Sequence, residues 1–196
     1  MNILLGVTGS VAATLTTKLC RELKQVGDVK VIMTNSAQYF ALDYQLFDLL
    51  DDAGTGSRKI WLDEHEWKPN VKYQKNQDIP HITLGNWADV FVIAPLTLNT
   101  MSKMFFGLAD NLLTCTYAAW DYGKPVIIAP AMNTRMWENN GSRTMEALWK
   151  RHQNIGKAVL HYIAPVKKEL ACGEVGIGGL ADIKDIVDKV KYVLHT

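Results

Sequence analysis

The sequence predicts an α/β fold built on an open, parallel sheet. Short apolar runs rich in β-branched residues, typical of strands buried on both faces, alternate with segments whose apolar residues recur at helical spacing. Several of these runs end in turns that carry hydroxyl or carboxamide side chains. Ligands of open α/β sheets bind outside the carboxyl ends of the strands, so these turns form the candidate binding site.

The first strand is predicted over residues 2–8 and ends in a Gly9-Ser10 turn that leads into a helix. Backbone N–H groups and a hydroxyl at such a junction can converge on a phosphate, although Ser10 could simply cap the helix. Because the spacing is not GxGxxG, a mononucleotide is a better candidate than a dinucleotide. The apolar residues that recur at near-helical spacing in this helix are Val11, Leu15, Leu19 and Leu23.

A second strand is predicted over residues 29–33, and it ends in Thr34 and Ser36. Parallel strands present their carboxyl ends at the same edge of a sheet, so these hydroxyl groups fit a ligand that also contacts the first turn. Capping of the helix that follows is the alternative interpretation.

The stretch between residues 41 and 80 is largely polar, and in it we predict a short helix over 44–50 followed by a long surface loop. His81 then begins a short amphipathic helix. An imidazole in this position can serve as a general base or bind a carboxylate, and the alternative is a structural histidine. A third buried strand over 90–94 leads to another polar turn, which contains Thr97, Asn99 and Thr100.

The fourth strand, over residues 125–130, is followed by Ala131, Met132 and Asn133. The Asn133 carboxamide can donate and accept hydrogen bonds, so it can hold a polar ligand at the mouth of the sheet. Met132 and Met136 would give this turn an apolar wall. The alternative is a plain strand exit with core methionines.

The remaining elements continue the alternation of helices and strands. A helix with interruptions is predicted over residues 101–122. Cys115 in that helix and Cys20 in the first helix are predicted to be inert core thiols. After the fourth strand come another helix and a short strand over 158–163, in which His161 is predicted to be structural.

Glycines crowd between residues 173 and 179, a density typical of a flexible flap. Cys172 stands at the head of this segment, shortly after Lys167 and Lys168. A thiol on a mobile, partly basic loop can act as an acid or a nucleophile, and the alternative is a surface turn with an incidental cysteine. A final helix over 181–194 completes the predicted fold.

The composition narrows the functional classes. A chain of 196 residues most simply forms one domain, 1–196. Its composition, with 48% hydrophobic and 21% charged residues, is ordinary for a globular protein. The net charge of +1 gives no reason to expect nucleic acid or an anionic membrane as a partner. Without a signal peptide or an apolar run of about 18 residues, we expect a cytoplasmic protein. The three widely spaced cysteines indicate neither a disulfide framework nor a metal site.

A set of short motifs, in order along nearly the whole chain, resembles one family. The motifs are GSVAA after the first strand, PLTLNT, DNLLT, PAMNTRMW and the ACG of the glycine-rich segment. Together they resemble the homo-oligomeric flavin-containing cysteine decarboxylases, and most of all the phosphopantothenoylcysteine decarboxylase branch of coenzyme A biosynthesis. The resemblance implies a Rossmann-like, flavodoxin-like three-layer fold. It also implies a homotrimer, or a multiple of trimers, with FMN near the subunit interface.

The resemblance also implies roles for individual residues. His81 matches the catalytic histidine, Asn133 the residue that binds the substrate carboxylate, and Cys172 the proton donor of the last step. The residues expected to bind FMN are Gly9, Ser10, Val11, Thr34, Ser36, Thr97, Asn99, Thr100 and Ala131. The residues expected to contact the substrate are Asn133, Met136, Lys168, Glu169, Leu170 and Ala171, with Glu169 standing where relatives are expected to have a basic residue.

The implied reaction is the FMN-dependent decarboxylation of 4'-phosphopantothenoylcysteine to 4'-phosphopantetheine. In this scheme the thiol is oxidised to a thioaldehyde, CO2 leaves, and the resulting enethiol is reduced. Cysteine has no electron sink of its own for this loss of CO2, and a flavin can supply one. The alternatives are a peptidyl-cysteine decarboxylase, which the ACG segment disfavours, and a non-catalytic regulatory flavoprotein that binds a protein partner. A further alternative is the prenyl-flavin synthase group, which shares the sheet. That group lacks the combination of a PxMNxxMW motif and a flap that contains a cysteine.

Overall fold

A computed structural model of the protein describes residues 1–41, 43–50, 58–68, 70–155, 160–169, 173 and 175–195. At its centre is a parallel sheet, as the alternating pattern predicted. The strands are β1 (Asn2–Val7), β2 (Asp28–Met33), β3 (Ile60–Trp61), β4 (Val90–Leu96), β5 (Val126–Pro130) and β6 (Leu160–Tyr162). They lie in the order β3-β2-β1-β4-β5-β6, and every neighbouring pair is parallel.

Helices cover both faces of this sheet, so the predicted three-layer α/β fold is confirmed. The helices are α1 (Thr16–Leu23), α2 (Asn35–Ala41), α3 (Tyr44–Leu50), α4 (Asp63–Glu66), α5 (Pro80–Trp87), α6 (Leu98–Phe106), α7 (Leu112–Ala118), α8 (Thr134–Met136), α9 (Ser142–Ile155) and α10 (Ile183–His195). A 3-10 turn, Val11–Leu15, precedes α1, and a π-helical turn, Trp137–Gly141, joins α8 to α9. Within the described ranges, none of the helices has the length and apolarity that crossing a membrane requires.

Two hydrophobic cores lie on opposite faces of the sheet. In β1, Ile3, Leu5 and Val7 pack with α1 and α10 in one core, while Leu4 points into the other core with α5, α6, α7 and α9. Side chains of a strand alternate between faces, so a strand buried on both faces must be apolar at every position. This is why an unbroken apolar run was enough to predict the central strands.

The polar stretch after residue 50 is more structured than the sequence indicated. The predicted helix over 44–50 is confirmed as α3, but the prediction of a continuous loop up to residue 80 is wrong. The described part contains β3, which extends the sheet beside β2, and the four-residue helix α4. Both elements are too short to produce a recognisable periodicity, which needs a window of about 11 residues.

The single helix predicted over 101–122 is two helices. The helix α6 ends at Gly107, whose φ of 73° closes the helix in the left-handed conformation. The helix α7 begins after Asn111, whose side chain accepts a hydrogen bond from Thr114 N at 2.9 Å. The interruptions noted in the sequence therefore mark a C-cap and an N-cap.

The two cysteines predicted to be core thiols differ in their surroundings. Cys20 is fully buried in α1, which confirms the prediction, and burial raises the pKa of its thiol to about 12. Cys115 is only partly buried on α7, so the prediction of a core thiol is wrong for this residue. Its Sγ donates to the carbonyl oxygen of Ala109 at 3.3 Å, and burial of the group raises its pKa.

A buried polar pair joins α7 to α9. The Tyr117 hydroxyl lies 2.8 Å from Nε2 of His152, and Nδ1 of His152 lies 3.0 Å from the carbonyl oxygen of Leu148. A carbonyl oxygen can only accept, so Nδ1 carries the proton and Nε2 accepts from the tyrosine. Burial lowers the pKa of His152 and raises the pKa of Tyr117, which keeps both groups neutral inside the core.

Replacing Tyr117 by Phe should therefore lower the free energy of unfolding by about 1–3 kcal/mol, because Nε2 of His152 would lose its buried donor. Urea denaturation at neutral pH measures this difference. Tyr122→Phe is the control, since the Tyr122 ring also contacts His152 but its hydroxyl makes no hydrogen bond to it. Equal losses in the two variants would contradict the assignment of this hydrogen bond.

Candidate functional site

A cavity of about 660 Å³ opens at the carboxyl edge of the sheet. It is bounded by the loops that follow β1, β4 and β5, and by the antiparallel hairpin of β7 (Val166–Glu169) and β8 (Val175–Gly179). The volume lies within the range of about 300–1,000 Å³ typical of small-molecule sites. The predicted residues that line it are Gly9, Ser10, Val11, Thr97, Ala131, Met132, Asn133, Met136, Lys168 and Glu169.

A buried threonine joins two of these loops. The Thr8 hydroxyl donates to the carbonyl oxygen of Pro95 at 2.7 Å and accepts from the backbone N–H of Thr97 at 2.8 Å. Thr8 N–H also donates to Pro95 at 3.2 Å, so β1 and β4 stay connected beyond their last sheet hydrogen bonds. The two strand ends are thereby held at a fixed separation on one side of the cavity.

The loop after β1 offers hydrogen-bond donors to the cavity. Ser10 lines the cavity and its Oγ accepts from Ala12 N at 3.3 Å, so the residue also caps the following turn. Across the described parts of the chain, the backbone N–H groups of Gly9 and Val11 have no hydrogen-bond acceptor. Two free amides and a hydroxyl on a tight turn form a suitable cradle for an anionic group.

Val11 and Leu15 form an apolar wall beside that cradle. The sequence predicted one helix in which both residues recur at near-helical spacing with Leu19 and Leu23, but the two side chains are 48% and 36% exposed. The segment is a 3-10 turn with three residues per turn, so these two positions rotate away from the face that α1 buries. The predicted helix therefore begins as a 3-10 turn, and both side chains line the cavity.

In the turn after β4, Thr97 alone of the predicted FMN-binding residues lines the cavity. Thr97 is the N-cap of α6, and its Oγ1 accepts from Thr100 N at 3.5 Å. Asn99 is exposed and Thr100 is buried, and neither lines the cavity, because successive helical positions turn away from the strand end.

The hydroxyl groups that follow β2 flank the cavity without lining it. Thr34 is buried and Ser36 is exposed at the start of α2. Ser36 packs against the β1 loop so closely that a Cβ atom on Gly9 would lie 2.3 Å from the Ser36 Cβ. A side chain at position 9 would therefore push α2 away from the cradle.

The loop after β5 contributes Ala131, Met132 and Asn133. Ala131 N–H donates to the carbonyl oxygen of Leu96 at 3.0 Å, which ties this loop to the end of β4. Met132 is 8% exposed and supplies apolar surface, whereas Met136 is 44% exposed at the cavity rim. The Asn133 Oδ1 accepts from Arg135 N at 2.9 Å, so its carboxamide is held in place at the cavity by capping α8.

The glycine-rich segment forms the second wall of the cavity. Its described part is an ordered hairpin that docks on the β5 loop, where Met132 N–H donates to Gly178 O at 2.9 Å. Gly178 has a φ of 146°, and a Cβ atom there would lie 2.2 Å from Met132 O. Lys168 lines the cavity, but its Nζ donates to Leu180 O at 2.8 Å and so braces the hairpin. The predicted site residues Leu170, Ala171 and Cys172 lie outside the described residues.

His81 does not line this cavity. It is the second residue of α5, which packs in the core on the face opposite α1. Its Nδ1 lies 2.6 Å from Oε1 of Glu66 on α4, and its backbone N–H donates to Oε2 of the same carboxylate at 3.0 Å. His81 and Asn133, which the sequence placed in one site, are therefore not brought together within a single chain.

The sequence interpretation did not identify Thr8 or Glu66. Thr8 could have been found as the first hydroxyl after a buried strand, the same signal that pointed to Thr34 and Thr97. Glu66 lies in an acidic run within the stretch interpreted as a surface loop. No local pattern links it to His81, 15 residues further along the chain.

Comparison with known proteins shows what this chain resembles. A phosphopantothenoylcysteine decarboxylase, HAL3a, from Glycine max is 39% identical over 191 residues, which are 96% of this chain and 82% of that protein. A cysteine-to-serine variant of a PPC decarboxylase, solved with pantothenoylaminoethenethiol, is 36% identical and superposes with a TM-score of 0.83. That match covers 100% of this chain and 98% of the other.

A second solved structure, the FMN-binding protein AtHal3, is 38% identical with a TM-score of 0.76. The match covers 97% of this chain and 95% of that one. The family model described as Flavoprotein matches residues 1–195. The shared fold, the sequence identity and the match to the family model together show that the chain belongs to the Flavoprotein family.

Proposed function

We propose that this protein is an FMN-dependent phosphopantothenoylcysteine decarboxylase, which converts 4'-phosphopantothenoylcysteine to 4'-phosphopantetheine and CO2 in coenzyme A biosynthesis. The observation that carries the proposal is the cavity, because the turns expected to bind FMN and substrate, after β1, β4 and β5, meet there. Relatives that carry this name are 37–39% identical over most of the chain, which supports the same substrate.

The described residues fit FMN. The free amides of Gly9 and Val11 with the Ser10 hydroxyl suit a phosphate group. Ala131, Met132 and Leu180 supply apolar surface that suits a flavin ring, and Thr97 adds a hydroxyl between the two regions. Four further residues flank this cavity, and we propose that they contact FMN when it is bound at a subunit interface. They are Thr34, Ser36, Asn99 and Thr100.

FMN, when bound, supplies a reversible two-electron acceptor for the cysteine part of the substrate. The protein supplies binding and proton transfer. Asn133, fixed by its cap on α8, would bind the substrate carboxylate, and Met136, Lys168 and Glu169 would contact the rest of the substrate from the rim and hairpin. His81 would assist the loss of CO2, and Cys172 would donate the last proton. Leu170 and Ala171 are the remaining proposed substrate contacts.

We further propose a homotrimer, or a multiple of trimers, in which His81 of one subunit completes the cavity of its neighbour. His81 lies apart from the cavity of its own chain, which supports this arrangement. Apolar side chains beside both parts are exposed: Ile79 (38%) and Ile82 (41%) next to His81, and Met136 (44%) at the cavity rim. Exposed apolar groups of this kind often mark an interface.

We also propose that the protein is a single flavoprotein domain and that it is located in the cytoplasm.

The proposed function is tested by offering purified protein with FMN two substrates in parallel, 4'-phosphopantothenoylcysteine and a peptide that ends in cysteine. Mass spectrometry should detect the loss of CO2 from the first only. Decarboxylation of the peptide alone would identify a peptidyl-cysteine decarboxylase. Bound flavin without turnover of either substrate would favour the regulatory alternative.

The proposed roles of His81 and Cys172 predict that variants of these two residues are impaired at different steps of the reaction. His81→Asn should lower CO2 release by about 10²–10⁴-fold, the usual contribution of an acid–base group. Cys172→Ser should still release CO2 but accumulate the unsaturated enethiol, because its last proton donor is gone. The solved PPC decarboxylase variant with a serine for a cysteine holds such a compound. Cys115→Ser and His195→Asn are the controls, and full turnover by Cys172→Ser would refute its role.

The docking of the hairpin predicts that Gly178→Ala weakens FMN binding by about tenfold or more. The positive φ alone costs a residue with a side chain about 1–3 kcal/mol, and the new Cβ would meet Met132 O. Quenching of flavin fluorescence measures the dissociation constant. Gly85→Ala is the matched control, because a Cβ there would meet its nearest neighbour, the Trp120 ring, at 3.9 Å. Unchanged binding in Gly178→Ala would argue against this wall as part of the FMN site.

A further inference from the structure

We propose that Glu66 is a positioning residue that fixes the tautomer of His81, with the proton on Nδ1 and with Nε2 left to exchange a proton with the substrate. This inference rests on the proposed function, in which His81 acts on the substrate. It concerns a residue of the polar stretch before α5 that neither lines the cavity nor carries one of the roles assigned above.

Both oxygens of the Glu66 carboxylate contact the same residue. Oε1 lies 2.6 Å from His81 Nδ1, and Oε2 accepts from the His81 backbone N–H at 3.0 Å. The Glu66 side chain is only 6% exposed, whereas that of His81 is 24% exposed. A carboxylate buried to this degree needs strong partners, and His81 supplies two of them.

The carboxylate determines which ring nitrogen of His81 carries the proton. An ionised carboxylate has acceptors only, so a contact of 2.6 Å with Nδ1 requires a proton on that nitrogen. In the neutral ring Nε2 then holds the lone pair, and in the charged ring Nε2 is the nitrogen that gives up a proton. Within the described part of the chain, Nε2 makes no hydrogen bond.

The same carboxylate fixes the backbone that carries the ring. Ile79, the N-cap of α5, makes no side-chain capping bond, and Pro80 has no N–H to offer. The His81 N–H is therefore the first donor of the helix, and Glu66 accepts from it across 15 residues of sequence. With backbone and Nδ1 both held, rotation of the ring about its side-chain bonds would break the 2.6 Å contact.

Glutamine cannot reproduce both contacts. Its carboxamide has the size of the carboxylate but offers one acceptor oxygen and one donor nitrogen. If the oxygen keeps the backbone N–H, the nitrogen faces Nδ1 and favours the tautomer with the proton on Nε2. If the oxygen keeps Nδ1–H instead, the first N–H of α5 is left facing a donor. Glu66→Gln therefore changes the hydrogen-bonding groups of the side chain while keeping its size.

The first measurement is ¹⁵N nuclear magnetic resonance of His81 in the FMN-loaded protein. Two-bond ¹⁵N–¹H correlations distinguish the two neutral tautomers, and His81→Asn identifies the signal. The wild-type protein should show the Nδ1–H tautomer, and Glu66→Gln should show a substantial Nε2–H population. An Nε2–H tautomer in the wild type, or an unchanged spectrum in the variant, would overturn the proposal.

The second measurement is the rate of CO2 release from 4'-phosphopantothenoylcysteine. Glu66→Gln should lower kcat by about 10- to 100-fold, the range found for partners that orient metal-binding histidines, while KM changes little. Glu66→Asp keeps two acceptors although it is shorter by one methylene, so it should retain more activity than the isosteric Gln variant. The opposite order would mean that Glu66 acts through packing, and would overturn the proposal.

Asp63→Ala is the control for losing a carboxylate of α4 that accepts a hydrogen bond from the first N–H of a helix. Asp63 also belongs to α4, and its Oδ1 accepts from Leu112 N at 2.9 Å at the start of α7. Removing it should lower the urea midpoint of unfolding without changing the His81 tautomer. A tautomer change in Asp63→Ala equal to that in Glu66→Gln would count against a specific role for Glu66.

The two readouts also separate this inference from the proposed function. If the wild-type protein released no CO2, the proposed function would fail, yet the tautomer measurement would still decide whether Glu66 fixes His81. If the wild-type protein were active and the Gln variant kept both its tautomer and its kcat, only the positioning role would fail.

Discussion

The whole candidate site depends on how the ends of β1 and β4 are joined, and one buried hydroxyl joins them. Thr8 Oγ1 accepts from Thr97 N, which the sheet itself leaves unpaired, and gives Pro95 O a second donor beside the Thr8 backbone N–H. Each such buried group costs about 1–3 kcal/mol when it lacks a partner. The separation between the Gly9 cradle and Thr97 is therefore set by hydrogen bonds within the protein and exists before any ligand binds.

The proposed site is divided between two parts of the chain that lie apart. The β1 and β5 loops and the β7–β8 hairpin bound a cavity on one side, and that cavity holds the groups suited to FMN and to the substrate carboxylate. His81 lies outside this cavity and is held by a carboxylate of α4. In the proposed oligomer, assembly would bring the cavity of one chain together with His81 of its neighbour.

The sequence predicted what depends on local pattern. The central strands followed from apolar runs such as that of β4, and the polar turns followed from residues such as Ser10 and Thr97. The 3-10 conformation of Val11–Leu15 was missed because five residues are too few for an apolar pattern to distinguish three from 3.6 residues per turn. Glu66 was missed for a different reason, since its partner is set by tertiary packing and no spacing rule connects α4 to α5.

The four-residue helix α4 has a consequence for how the surrounding sequence can vary. Asp63 accepts from the backbone N–H of Leu112 at the start of α7, and Glu66 accepts from the backbone N–H of His81 at the start of α5. The starts of two helices are thus held by two carboxylates spaced three residues apart on one helical turn. A change in the Asp-x-x-Glu spacing would therefore require α5 and α7 to move relative to each other.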